Sequence, residues 1–206
     1  MTQLATDEHL PPPGFSGAAE VEVRQLNDTD WVTLSRLDYR AADMAFTVPS
    51  GQHTDFASVP RVFVWFLPRY GRYTKAAILH DYLCRVPVAN GTLPRSEADR
   101  IFRQSMRELE VAFLRRWIMW AAVRLGALAN ARGRQGWLRA CWQVFPIMLV
   151  ALPVVGPPAV VIVAALLVFY LVETIARAVL AVANLVRRAR GRAQKPVSTP
   201  KFSLKL

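Results

Sequence analysis

The chain has 206 residues, a length that fits one domain with appended segments better than two full domains. Apolar residues make up 53% of it, above the usual share for a soluble globular chain, and its formal net charge is +11. Its two cysteines, Cys84 and Cys141, exclude a disulfide-rich scaffold, and no Cys–His spacing indicates a structural zinc site.

The first segment, residues 1–19, predicts a disordered leader. It is rich in proline and glycine and acidic in its middle. It has neither a basic start nor an apolar centre, so it does not resemble a secretory signal. We therefore expect the globular part of the protein to stay in the cytoplasm.

Residues 20–50 predict a small antiparallel sheet of three strands. The candidate strands read VEVRQL, WVTLSRLDY and MAFTVP, which alternate in polarity or are rich in β-branched and aromatic residues. The segment that follows, residues 49–60, has Pro, Gly, Ser and Asp in close order and predicts an irregular loop.

About three helices are expected after this loop. The first is expected from Thr74 to about Arg85, where a proline and the sequence ANG end it. The second contains PRSEADRIFRQSMREL, with Ser96 as its N-cap and Asp99 as the capping partner. The third reads FLRRWIMWAAVRLGALAN. The sheet and these helices predict an α+β domain over residues 20–130.

The last third of the chain has the strongest physical signal in the sequence. From Val144 to Val172 there are 29 consecutive uncharged residues, and a helix needs about 20 apolar residues to cross a bilayer. The sequence GPP at 156–158 interrupts the run, so residues 137–155 and 159–175 are each close to a membrane span.

Arginines flank this apolar segment on both sides, and the positive-inside rule then requires both ends in the cytoplasm. A transmembrane helical hairpin over residues 137–185 satisfies that rule, and one bent span is the alternative. Residues 186–206 predict a basic disordered tail that is attracted to anionic lipid. The expected partner is membrane lipid, at the cytoplasmic (inner) membrane.

No nucleic-acid partner is expected, although Trp and Arg side chains cluster over residues 113–139. Packing of amphipathic helices against a bilayer interface explains that cluster more simply, because arginine can lie along an apolar surface while its charged head stays in water.

Three motifs, VPSGQHTDFASVPR, GRYTKAAILHDYL and RSEADRIFRQSM, resemble the domain-of-unknown-function 1353 family of phages and bacteria. The resemblance covers about residues 28–126, and the apolar C-terminal segment lies outside it. It implies a shared fold and a phage or prophage setting, but no reaction, since none is established for that family. The matching positions are Thr54, Asp55, Ser58, Pro60, His80, Asp81, Asp99 and Phe102.

Asp55 lies in the irregular loop, and two interpretations of its carboxylate stay open. As a structural residue it would accept the backbone N–H groups of Ala57 and Ser58 in an Asx turn. As a functional residue it would face the helix that carries His80.

His80 and Asp81 are neighbours on the first helix, so about 100° separates their side chains and they are not a ready-made dyad. His80 lies at the margin of the apolar stripe. It either packs there through a hydrogen bond or acts as a general base that Asp55 or Asp99 orients.

Asp99 also lies close to the buried face of the second helix, three residues before Phe102. A buried carboxylate needs a partner, and His80, Arg95 or a metal ion would serve. If Asp55, His80 and Asp99 converge, their oxygen and nitrogen atoms suit Mg²⁺, Mn²⁺ or Zn²⁺. The candidate catalytic residues are thus His80, Asp81 and Asp55, and the candidate metal ligands are Asp55, His80 and Asp99.

Two functions of different classes follow from these residues. The first is a membrane-tethered hydrolase with a His/Asp site, metal-assisted if a divalent ion binds, that acts on a lipid, a cell-wall precursor or a phosphoester. The second is a non-enzymatic phage or prophage accessory protein in which the same residues brace the junction between sheet and helices. The spatial arrangement of Asp55, His80 and Asp99 distinguishes the two.

Overall fold

The computed structural model describes residues 13–16, 20–41, 43–57, 59, 61–129, 134, 137–191 and 193. These residues form six short strands, three helices of 12 to 14 residues and one helix of 53 residues. The expected α+β class is confirmed.

Two three-stranded antiparallel sheets form the β part. The first has the strand order β1–β4–β5 and consists of β1 (Gly14–Ser16), β4 (Leu37–Arg40) and β5 (Ala45–Val48). The second has the order β2–β3–β6 and consists of β2 (Val23–Gln25), β3 (Trp31–Thr33) and β6 (His53–Thr54). The segment expected as one strand over residues 31–39 bends after Thr33, so its two halves belong to different sheets.

Strand β1 lies inside the stretch that was expected to be a disordered leader. Phe15 is paired with Tyr39 of β4, their ring centroids are 4.8 Å apart, and Tyr39 is 1% exposed. This aromatic contact buries apolar surface that the Pro- and Gly-rich composition of the leader does not predict. The rest of the leader, residues 1–12 and 17–19, lies outside the described residues.

Three helices follow the sheets, as expected: α1 (Thr74–Arg85), α2 (Arg95–Glu108) and α3 (Phe113–Gly126). α1 packs on α2, and α2 packs on α3. The main core combines apolar residues of β4, β5, α1 and α2, among them Leu37, Val48, Ile78, Leu79, Leu83 and Ile101.

The start of α2 differs from the expected capping box. Pro94 occupies the N-cap with φ of −64° and ψ of 142°, and no side chain makes a capping hydrogen bond there. The proline ring fixes φ at a value that suits entry into the helix. Ser96 therefore lies inside the first turn rather than at the cap, and Asp99 is directed into the core, where it is 0% exposed.

The expected C-terminal hairpin is corrected to a single helix, α4, which runs from Trp137 to Ala189. Gly156, Pro157 and Pro158 lie within it. Each proline removes one intrahelical hydrogen bond, but a chain reversal requires several consecutive residues to leave the helical conformation. The apolar residues on both sides of the prolines satisfy their backbone groups by staying helical.

α4 is long and apolar enough, by length and composition, to cross a membrane. Over Ala140–Ala189 the most apolar window has a mean hydropathy of 2.5, and none of that window is buried among the described residues. No other helix in the described part of the chain meets this criterion.

The chain divides into two compact units. The first consists of residues 1–58 and 69–148, and the second of residues 59–68 and 149–206. The first unit contains both sheets, α1 to α3 and the start of α4. Within this unit Val144 of α4 packs against Trp120 and Ala121 of α3. Every residue of the candidate site lies in the first unit.

Candidate functional site

Thr54, the last residue of β6, joins the following loop to α1. Its hydroxyl donates a hydrogen bond to Oδ2 of Asp81 at 2.6 Å and accepts the backbone N–H of Phe56 at 2.9 Å. Thr54 is 0% exposed. The contact with Phe56 closes a local turn, and the contact with Asp81 reaches α1. The Thr54 hydroxyl therefore holds the loop against α1.

Phe56 has a left-handed backbone conformation with φ of 61°, which is uncommon for a bulky residue. Its side chain is buried, and its ring centroid lies 5.6 Å from that of Trp31. Packing therefore maintains a backbone conformation that is costly by itself. The consequence is a fixed position for Asp55, which lies between Thr54 and Phe56.

Asp55 and Asp81 form a pair of interacting carboxyl groups where this loop meets α1. Burial raises the pKa of Asp81, and the negative charge of Asp55 raises it further, to about 7. The hydrogen bond from Thr54 and the charges of His80 and Arg85 act in the opposite direction without outweighing these effects. A carboxyl group with this pKa both accepts and releases a proton near neutral pH.

His80 is directed away from Asp81 and toward α2. Its Nε2 atom donates a hydrogen bond to Oδ1 of Asp99 at 2.8 Å, and its ring centroid lies 4.7 Å from that of Phe102. His80 is 7% exposed. The two adjacent residues of the HD motif thus make different contacts, as their expected 100° separation requires.

Two arginines complete the surroundings of Asp99. Nε of Arg95 donates to Oδ1 at 2.9 Å, and Nη1 of Arg124 donates to Oδ2 at 2.9 Å. Arg124 is 1% exposed, and Nε1 of Trp137 donates to its carbonyl oxygen at 3.2 Å. One carboxylate therefore connects α1, α2 and α3.

The charges in this cluster keep His80 protonated. Burial lowers the pKa of His80, but the hydrogen bond to Asp99 and the contact with Cys84 raise it to about 9. Burial raises the pKa of Asp99, while His80, Arg95 and Arg124 together bring it below its ordinary value. A histidine that is protonated at neutral pH is not available there as a general base.

The predicted site residues thus occupy two pairs, Asp55 with Asp81 and His80 with Asp99. The structure does not gather Asp55, His80 and Asp99 as three ligands. Within the described residues, no group of three or more His, Cys, Asp or Glu side chains is placed to hold a metal ion. The two arginines on Asp99 also repel a divalent cation, so this geometry does not support the predicted metal site.

Arg124 is the cluster residue that sequence patterns left out, although a signal for it exists. It follows Trp117, Trp120 and Ala121 at the spacing i, i+3, i+4 and i+7, which places it on the buried face of α3. The role of Thr54 has no such signal, because its contact with Asp81 joins residues 27 positions apart.

Comparison with known proteins gives one family-level similarity over part of the chain and no established function. No curated protein and no solved structure matches the chain. A family model matches residues 31–123, and α4 lies outside this stretch. The matched stretch contains the Asp55–Asp81 and His80–Asp99 pairs and is similar to the family described as "Protein of unknown function (DUF1353)".

Proposed function

We propose that the protein is a membrane-anchored hydrolase whose acid/base chemistry is performed by Asp81 with Asp55 beside it. The observation that carries this proposal is the setting of Asp81. It is partly buried, it is hydrogen-bonded to Thr54 at 2.6 Å, and Asp55 contributes to raising its pKa to about 7. Carboxyl pairs in which one pKa is raised in this way are typical of enzymes that move protons.

The left-handed backbone of Phe56 supports a functional role for the Asp55–Asp81 pair. Phe56 pays the cost of a left-handed conformation, and the result is a second negative charge held near Asp81. In a purely structural loop that juxtaposition only destabilises the fold. In the hydrolase, Asp81 takes a proton from the attacking water and returns it to the leaving group, while Asp55 keeps the pKa of Asp81 near the working pH.

α4 supports the membrane half of the proposal. A helix rises about 1.5 Å per residue, so about 20 of its residues cross a hydrocarbon core about 30 Å thick. Arg187 and Arg188 in the last turn of α4, and Arg190 just after it, suit an interface with anionic headgroups. The substrates that fit this setting are a lipid, a cell-wall precursor or a phosphoester at the cytoplasmic membrane.

Hydrolysis assays on the full-length protein in phosphatidylcholine nanodiscs test the proposal. The substrates are p-nitrophenyl derivatives of three classes: carboxylic esters, phosphomonoesters and phosphodiesters. In Asp81→Asn, the amide still accepts the hydrogen bond from Thr54 but cannot exchange a proton, so we expect turnover to fall about 100-fold or more.

The matched control is Asp38→Asn. Asp38 also accepts a threonine hydrogen bond, from Thr47 at 2.6 Å, but this hydrogen bond lowers the pKa of its carboxyl group. We expect Asp38→Asn to keep wild-type turnover. The absence of turnover in all three substrate classes, or an equal loss in both variants, would overturn the hydrolase proposal.

The burial of His80 favours a second candidate function, a non-enzymatic, membrane-associated accessory protein of phage or prophage type. In that protein the ion pair of His80 and Asp99 braces three helices and the carboxyl pair has no substrate. If this second function is correct, the wild type hydrolyses none of the three substrate classes, and Asp81→Asn changes only the stability of the protein.

A further inference from the structure

A concave surface lies between the second half of α2 and the start of α3, and it shares no lining residue with the Asp55–Asp81 or His80–Asp99 pairs. It encloses about 300 Å³. Its lining includes four arginines and two aromatic residues: Arg100, Arg103, Arg107, Arg116, Phe113 and Trp117. We call it the arginine pocket. The residues of each helix recur at spacings of three and four, so one face of α2 and one face of α3 form its walls.

Most of the positive charge in the arginine pocket is not neutralised by the protein. Arg100 is paired with Glu97, with 2.9 Å between Nε and Oε2. Arg103, Arg107 and Arg116 have no carboxylate oxygen within 4.0 Å among the residues that the structure describes. Like charges in a small volume repel one another, so this arrangement favours a bound anion.

Arg103 is held in a fixed orientation within the arginine pocket. Its guanidinium carbon lies 4.0 Å from the ring centroid of Trp117 and 5.3 Å from that of Trp120. Burial lowers the pKa of Arg103, and the charges of Arg107, Arg116 and Arg100 lower it further. A stacked guanidinium keeps its N–H edge available for hydrogen bonds to an oxyanion.

The start of α3 adds a second source of positive potential. Ala112 is its N-cap and supplies no capping side chain, and the first turn contains no acidic residue. It contains Arg115 and Arg116 instead. A helix N-terminus carries a partial positive charge and is ordinarily complemented by acidic side chains or bound anions. Two arginines there are unfavourable until an anion joins them.

We propose that the arginine pocket binds a phosphate group. The N–H donors of several guanidinium groups outnumber the hydrogen bonds that the two oxygens of one carboxylate accept. The oxygens of a phosphate accept bidentate hydrogen bonds from more than one arginine. Phe113 and Trp117 provide apolar walls for the organic part of a phosphate ester. This inference is independent of the proposed hydrolase chemistry, because no residue of the arginine pocket belongs to the Asp55–Asp81 pair or to the His80–Asp99 pair.

A soluble phosphate ester and the headgroup of an anionic phospholipid offer the same chemistry. Phe113 and Leu114, at the start of α3, are 66% and 45% exposed. Apolar side chains beside arginines are typical of surfaces that insert into the bilayer interface, so the lipid is the source that these neighbours favour.

Calorimetric titration of the full-length protein in phosphatidylcholine nanodiscs tests the proposal with glycerol phosphate as the probe. Sodium chloride at matched ionic strength is the blank. We expect saturable heat for the wild type and about tenfold weaker binding in Arg103→Gln, because one charged hydrogen-bond donor is lost. Arg107→Gln removes an exposed arginine of the pocket and should weaken binding without disturbing the stacking on Trp117.

Arg24→Gln is the matched control, since Arg24 is exposed on β2 and its loss changes the net charge equally. It should bind glycerol phosphate like the wild type. No saturable heat in the wild type would overturn the proposal. Equal weakening in Arg24→Gln and Arg107→Gln would show that only the overall charge matters and would overturn it as well.

Nanodiscs that contain phosphatidylglycerol distinguish the two sources. If the lipid headgroup occupies the pocket, these nanodiscs raise the unfolding temperature of the wild type and abolish the heat of glycerol phosphate, and Arg107→Gln reduces both effects. If glycerol phosphate binds equally in both kinds of nanodisc, the ligand is a soluble ester. Single-stranded oligonucleotides are the last comparison. If they bind with an affinity that rises with their length, the phosphate-site proposal is wrong and the surface is an extended nucleic-acid site.

Discussion

Nε2 of His80 lies 2.8 Å from Oδ1 of Asp99, and both side chains are buried between α1 and α2. Arg95 and Arg124 share the same carboxylate. An aspartate with three cationic partners is a junction that the surrounding helices depend on, since removing it leaves positive charges buried without compensation. The histidine of the HD motif therefore stabilises the fold, and the aspartate beside it is the candidate for chemistry.

Asp99→Asn should lower the free energy of unfolding by about 3–5 kcal/mol, because Arg124 and His80 then lie buried without a counter-charge. Urea unfolding in neutral detergent, followed by tryptophan fluorescence, measures this change. The control is Glu97→Gln on the same helix, whose ion pair with Arg100 is more exposed and contributes at most about 1 kcal/mol. Equal effects in the two variants would contradict the bracing role of Asp99.

Stability should fall as the pH rises from about 6.5 to about 9. The folded-state pKa of His80 is raised to about 9, so the folded protein holds a proton that the unfolded chain releases above its ordinary pKa of about 6.5. The full effect is on the order of 3 kcal/mol, is complete below pH 6.5 and is lost through pH 9. Urea midpoints across this range measure it.

His80→Gln removes the titrating group, so its stability should be lower than that of the wild type at pH 6.5 and nearly constant up to pH 9. A wild type with a flat profile over this range, or a variant that keeps the slope, would show that His80 is not the proton carrier.

Asp81→Asn should stabilise the protein above pH 7. Its folded-state pKa is raised from 3.8 to about 7, so ionisation of Asp81 opposes folding and stability falls as the pH rises between these values. The amide carries no charge and avoids that cost. Thermal unfolding at pH 5 and pH 8 should show that the midpoint of the variant, relative to that of the wild type, is higher at pH 8 than at pH 5, because most of the cost of ionising Asp81 accumulates between these values. A lower midpoint at both pH values would assign Asp81 a structural role.

Thr54→Val should lower stability by about 1–3 kcal/mol, because the N–H of Phe56 and the carboxyl group of Asp81 both lose a buried partner. It should also raise the pKa of Asp81 above about 7, since the Thr54 hydrogen bond acts to lower it. Carboxyl ¹³C chemical shifts followed with pH measure that pKa. In the control Thr47→Val, an exposed threonine is changed and the pKa of Asp81 should not move.

The two ends of α4 should react with membrane-impermeant reagents on opposite sides of the bilayer. If α4 spans the bilayer, its continuous helix of 53 residues would cross once, whereas a hairpin would return to the side from which it started. Maleimide labelling of single cysteines introduced as Leu138→Cys and Arg190→Cys, with Cys84 and Cys141 replaced by serine, measures this. Labelling of both positions from one side would restore the hairpin.

Local patterns in the sequence were sufficient to predict α1, α2 and α3. The boundaries expected for the first helix, Thr74 to about Arg85, agree with α1, because the periodicity of its apolar residues and the breakers after it act over a few positions. The apolar composition of the last third likewise indicates a helix long enough to cross a membrane. The prolines at 157 and 158 misled the interpretation, because composition does not reveal whether a helix continues through them.

The sequence by itself determined the class of the fold, the positions of α1 to α3 and the residue types available for chemistry, because these depend on spacing along the chain. Only the tertiary structure decided which side chains contact one another at the candidate site. Asp99 meets His80 and Arg124 across 19 and 25 positions, and Asp81 meets Thr54 across 27. These contacts depend on how sheets and helices pack together. Because of that packing, the adjacent residues His80 and Asp81 have different surroundings: His80 is paired with Asp99, and the pKa of Asp81 is raised to about 7.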